Sequence, residues 1–97
     1  MFKVELIFDT EHYEPKKIEE LCRQTDHLFE REDLACVEDR FGRRTYLDKG
    51  REEDFGRFWA ALFAMKRTMG TSEECIRNAY WYHDDSKEDL LNEFIRD

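Results

Sequence analysis

The chain has 97 residues, enough for one domain spanning 1–97 with a real core and too few for two. Charged residues make up 41% of it, too many to lie inside, so they must coat the surface. The formal net charge of −8 argues against direct binding to nucleic acid or to anionic membranes, both of which repel negative charge.

The first predicted element is a strand over Phe2 to Phe8. Phe2, Val4, Leu6 and Phe8 alternate with other residues, which gives the strand one buried side. Lys3 and Glu5 interrupt this run and no small-residue cleavage site follows, so it does not read as a signal peptide. No apolar run approaches the roughly 20 residues needed to cross a bilayer. A soluble, cytoplasmic protein is expected. Asp9 to Glu14 is a polar loop that carries Asp9, Glu11, His12 and Glu14.

Pro15, the only proline, suits the first turn of a helix, where its missing N–H has no partner to lose. Ile18, Leu21, Cys22, Thr25, Leu28 and Phe29 then form an amphipathic stripe running to about Glu32. Leu34 to Glu38 and Arg44 to Asp48 read as two further strands. Phe41-Gly42-Arg43 is a hairpin turn between them, with glycine supplying positive φ.

The longest apolar run, Phe58 to Met65, lies in a predicted helix over Phe55 to Met69. Its aromatic and aliphatic positions Phe55, Phe58, Trp59, Leu62, Phe63 and Met69 recur at helical spacing, and Ala60, Ala61 and Ala64 occupy the other side. A helix apolar over most of its circumference is expected to be the central one, buried on more than one side. Glu52, Glu53 and Asp54 complement its N-terminal dipole, Lys66 and Arg67 its C-terminal one, and Gly70 stops it.

Thr71-Ser72-Glu73-Glu74 has the form of a capping box and favours a helix through Cys75, Ile76, Ala79, Tyr80 and His83. Ala79 to His83 also reads as a strand, because aromatic residues favour sheets. Ser86 to Asp89 starts a last helix that buries Leu90, Leu91, Phe94 and Ile95. The predicted class is α+β, a small three-stranded sheet packed by three to four helices. The alternative is a ferredoxin-like βαββαβ pattern plus a C-terminal helix.

Three widely spaced cysteines, Cys22, Cys36 and Cys75, form no CxxC pair and read as small buried hydrophobes rather than a disulfide framework. No HxxxH spacing offers a zinc site, and His83 to Asp89 fails as a calcium loop because glycine is missing from its sixth position. Glycine occurs only at 42, 50, 56 and 70, so no phosphate-cradling loop can be built. No cofactor is implied. Asp9, Glu38 and Asp39 follow or end strands and would share a divalent cation if those strands were parallel neighbours, the arrangement of a small phosphodiesterase or nuclease. Arg40, Arg43 and Arg44 cluster at the hairpin and read as a solvated turn that neutralises nearby carboxylates.

Charge is uneven along the chain. Residues 1–33 hold 10 acidic against 5 basic groups, residues 34–70 hold 6 against 8, and residues 71–97 hold 8 against 3. Acidic ends and the aromatic run Tyr80-Trp81-Tyr82 suggest a non-enzymatic module that binds a basic protein partner. The sharpest version is an inhibitor that occupies a partner's nucleic-acid-binding surface, with carboxylates standing in for phosphates. Its expected contact residues are Tyr80, Trp81, Tyr82, Asp84, Asp85, Glu88, Asp89, Glu11 and Glu14. An adaptor or homodimeric subunit is the plainer version, docking through Tyr80 to Tyr82 or a side of the central helix.

Overall fold

Strand β1 (Phe2–Phe8) is the middle of a five-stranded sheet, and its alternation separates the two sheet faces. Val4, Leu6 and Phe8 point to one face and are buried there. Lys3, Glu5 and Ile7 point to the other. The computed structural model describes residues 1–96, and the side chains of Glu38, Asp39 and Thr71 lie outside that description.

The remaining elements are α1 (Pro15–Glu30), β2 (Cys36–Arg40), β3 (Arg43–Leu47), α2 (Asp54–Met69), a 3-10 segment (Gly70–Cys75), β4 (Ile76–His83), β5 (Ser86–Asp89) and a short π-helical segment α3 (Leu91–Ile95). The strand order is β2-β3-β1-β4-β5, antiparallel throughout. The first four strands with α1 and α2 make the ferredoxin-like arrangement, and β5 adds a fifth strand at one edge.

The three-stranded sheet expected from the sequence is therefore replaced by five strands. Residues 76–83 form a strand, not the helix that the capping signal favoured, and Val4 pairs with Trp81 while Leu6 pairs with Ala79. The capping role given to Thr71 falls on a side chain outside the described residues. Ser86 to Asp89 also pairs as a strand rather than starting a helix, with Tyr82 opposite Lys87. An all-polar sequence serves at this position because β5 is an edge whose charged side chains discourage further pairing.

The helix stripe read from α1 is the buried one: Ile18, Leu21, Cys22, Thr25, Leu28 and Phe29 are all buried. A polar tie fixes α1 to β3. The Tyr46 hydroxyl, at the end of a fully buried side chain, donates to Asp26 Oδ1 at 2.5 Å, and Arg44 forms a two-point ion pair with the same carboxylate. Tyr46 stacks on Phe29 with ring centroids 3.9 Å apart.

α2 departs from its expected role. Only one stripe of it faces the core, through Asp54, Phe58, Ala61, Leu62, Met65 and Met69. Phe55 and Phe63 stay 47% and 50% exposed, and Ala60 is exposed with them. The helix lies on the outside of the domain.

Two glycines make opposite predictions. Gly42 sits in the β2–β3 turn at φ +77°, and a Cβ there would lie 2.4 Å from Thr10 Cγ2. Gly42→Ala should lower stability by about 1–2 kcal/mol from the left-handed backbone alone. Gly56 lies inside α2, and a Cβ there meets nothing within 4 Å. Gly56→Ala should raise the stability of the single chain, measured at high dilution, by about 0.5–1 kcal/mol. Urea unfolding of the two variants checks both signs.

Candidate interaction surface

The residues singled out from the sequence do not come together at one place. Tyr80 and Tyr82 lie on the open sheet face, because they alternate with Ala79 and Trp81. Their rings sit 6.4 Å apart. Lys87 Nζ lies 4.0 Å from the Tyr80 ring centre, and Lys3 Nζ lies 4.2 Å from that of Tyr82. Beside them Glu5, only 7% exposed, accepts from Arg43 Nη2 at 2.6 Å and from the Tyr82 hydroxyl at 3.4 Å. Long cationic side chains thus lie over these tyrosines and make the open face a polar layer.

Trp81 points the other way and is 3% exposed, stacked on Phe2 with centroids 5.5 Å apart. Asp84 and Asp85 form the β4–β5 turn, where Asp84 pairs with the N-terminal ammonium at 3.2 Å. Glu88 is opposite Trp81 in β5 and is exposed. Asp89 is opposite Tyr80, and its carboxylate is held below the usual range by hydrogen bonds from Asn92. Glu11 and Glu14 lie beyond the other end of β1, with Glu11 3.7 Å from Arg77. Phe2 pairs with His83 and Phe8 with Ile76, so the length of β1, about 20 Å at the usual rise per residue, separates Asp84 and Asp85 from Glu11 and Glu14, while Glu88 and Asp89 lie level with the middle of β1.

The cation-site reading requires β1 and β2 to be neighbours, and β3 lies between them. Asp9 accepts from the backbone N–H groups of Glu11 and His12 and pairs with the His12 ring at 2.8 Å. Glu38 and Asp39, the other two members, have side chains outside the described residues. Among the described residues no group of three His, Cys, Asp or Glu side chains could hold a metal ion. Among them, too, no helix is long and apolar enough to cross a membrane. The Cys22 and Cys75 thiols are buried, and burial pushes both pKa values up, away from nucleophilic thiolate.

The hairpin arginines divide between the two sheet faces, as strand alternation requires. Arg43 reaches Glu5 on the open face and Arg44 reaches Asp26 on the helix face. Arg51 is a third such cation. It bonds Asp33 at 2.6 Å and Asp54 at 2.8 Å, joining the end of α1 to the start of α2. Lys49 and Arg51 hold the Asp33 carboxylate down to about 2. Burial alone would raise Asp54, but the N–H groups of Lys49 and Arg51 and the Arg51 guanidinium outweigh it and hold the group low.

The feature that the sequence reading assigned to the interior is the one at the surface. Phe55, Trp59 and Phe63 follow one another along α2 with neighbouring centroids 6.5 and 6.2 Å apart. Phe94 closes the row, 5.2 Å from Phe63 and 5.5 Å from Trp59 in edge-on contacts. Phe2 and His83 extend it at the Phe55 end, at 5.6 and 6.4 Å. Exposed Glu52 and Glu53 border the row at one end of α2, and Arg67 borders it at the other. The i, i+4, i+8 spacing of Phe55, Trp59 and Phe63 was visible in the sequence, but nothing there told which side the sheet would cover.

No protein-family model matches the chain, and no curated protein or solved structure matches it at a significant level.

The Arg51 cluster sets a pH response. Both carboxylates are depressed in the folded state, so their contribution is full above their ordinary pKa near 4 and is lost as pH falls from there toward 2. Thermal melting between pH 7 and pH 2 should show a drop below pH 4 that is shallower in Arg51→Ala. An equal slope in the two proteins would remove these pairs as its cause.

Proposed function

We propose that this chain is a non-enzymatic protein-binding module that docks onto another polypeptide through the outer face of α2. One observation carries the reading: Phe55, Trp59, Phe63 and Phe94 form a continuous aromatic row in which Phe55 and Phe63 are 47% and 50% exposed. Isolated exposed apolar residues are ordinary, whereas contiguous aromatic ones rimmed by charge are what recognition surfaces are made of. The acidic ends of the domain add long-range attraction for a basic partner, which speeds encounter more than it tightens the complex.

The narrower version, an inhibitor that mimics nucleic acid on a partner's basic surface, rests on net charge. Its carboxylates are spread along the sheet, with Asp84 and Asp85 about 20 Å from Glu11 and Glu14 and with Glu88 and Asp89 level with the middle of β1. Others are held by arginines, as Glu5, Asp26, Asp33 and Asp54 are. The aromatic row is therefore the better-supported contact, with the acidic groups as its steering field. A metal-dependent phosphodiesterase gains nothing from the separated strands β1 and β2.

A photo-crosslinking amino acid placed at Ala60 should give covalent adducts of defined mass in native extract. The same group at Lys87, on the open sheet face, should give few. Equal labelling from both positions, or none from position 60, contradicts the reading.

A further inference from the structure

Resting on the reading of the α2 face as a docking surface, the geometry points to a second copy of this chain as its occupant. We infer an antiparallel α2–α2 contact about a two-fold axis at Ala60.

The first observation is the helical position of the exposed residues. At about 100° per residue, Gly56 and Ala64 lie about 40° to either side of Ala60, and Glu53 and Arg67 about 20°. One line along α2 therefore reads Glu53, Gly56, Ala60, Ala64, Arg67. Of these only Ala64 is partly buried, and the others are exposed.

The second observation is that this line complements itself when reversed. Pairing two copies antiparallel about Ala60 sets Gly56 opposite Ala64 of the second copy and Glu53 opposite Arg67 of the second copy. The symmetry repeats each contact, as a closed isologous interface requires. A parallel arrangement would instead oppose Glu53 to Glu53 and Arg67 to Arg67. The charges thus choose the orientation and the chemistry of the occupant together.

Shape agrees with charge. The row Gly56, Ala60, Ala64 carries nothing larger than a methyl group, and the neighbouring row Phe55, Trp59, Phe63 carries large rings at the same four-residue spacing. Ridges and grooves built on the same i±4 rows pack into each other when two identical helices cross. Phe63, which its own chain leaves half exposed, would then cover the bare backbone at Gly56 of the second copy.

Gly56 supplies an independent reason. Glycine inside a helix is unfavourable, and its own fold makes no use of the missing side chain, since a Cβ would meet nothing within 4 Å. Close approach by another backbone would use that space.

Sedimentation velocity of the full chain over a wide dilution series is the test. A species of twice the 11.9 kDa chain mass is expected at high concentration. Ala60→Glu, which brings two carboxylates together at the axis, should raise the dissociation constant at least about tenfold. Glu53→Arg alone should weaken the dimer, and Glu53→Arg with Arg67→Glu should restore it, which no general loss of stability could do. Circular dichroism of each variant excludes unfolding as the cause. A dimer that ignores all three variants lies elsewhere and overturns the inference. A monomer at every concentration overturns it too, and the Ala60 crosslink then separates two cases. An adduct with a different protein leaves the docking surface standing, and no adduct removes both.

Discussion

A sheet face can cover only one stripe of each helix laid on it, and α2 has more apolar surface than one stripe holds. Phe58, Leu62, Met65 and Met69 fill the contact with the sheet and α1. Phe55 and Phe63 are left outside it, with Trp59 half-buried between them. A third layer would have covered this surplus. Among the described residues only α3 comes near it, and its Phe94 reaches the edge of the row without covering it. The exposed aromatic face, the candidate docking surface and its self-complementary line of small and charged residues all follow from this shortage of cover.

The uneven charge along the sequence is largely a device of folding. The first third of the chain is acidic and the middle is basic, and the fold brings the two together. Glu5 meets Arg43, Asp26 meets Arg44, and Asp33 meets both Lys49 and Arg51. These pairs tie β1 to β3, α1 to β3, and the end of α1 to the loop that starts α2. Pairing at partly buried positions has value mainly because breaking it would leave a charge stranded. The carboxylates left at the two ends of the sheet are the part of the charge that can act at a distance.

Much of the fold was legible where one signal dominated. The alternation of Val4, Leu6 and Phe8, the α1 stripe and Gly42 in the hairpin all hold, because each has a single period or a single backbone demand. The C-terminal third was not legible in its favoured reading. Thr71 to Glu74 resembles a helix start, yet Ala79 and Trp81 are needed beside Leu6 and Val4, and that tertiary pairing overrides the local signal. Ser86 to Asp89 has no alternation at all, since an edge strand exposed on both faces needs none. The candidate site was half visible. Tyr80, Trp81 and Tyr82 drew attention, but strand geometry sends them to opposite faces, and Trp81 into the core. The aromatic row of α2 was visible as spacing and invisible as surface, because periodicity says how many stripes a helix has and not how many the rest of the chain can cover.

The claim that α2's surplus face is covered by another copy is tested most directly by hydroxyl-radical footprinting of the phenylalanines at low and high protein concentration. Phe63, about 60° around α2 from Ala60, should become protected as concentration rises. Phe41, exposed at the tip of the hairpin, keeps its reactivity. Equal oxidation of these two rings at every concentration would contradict the account.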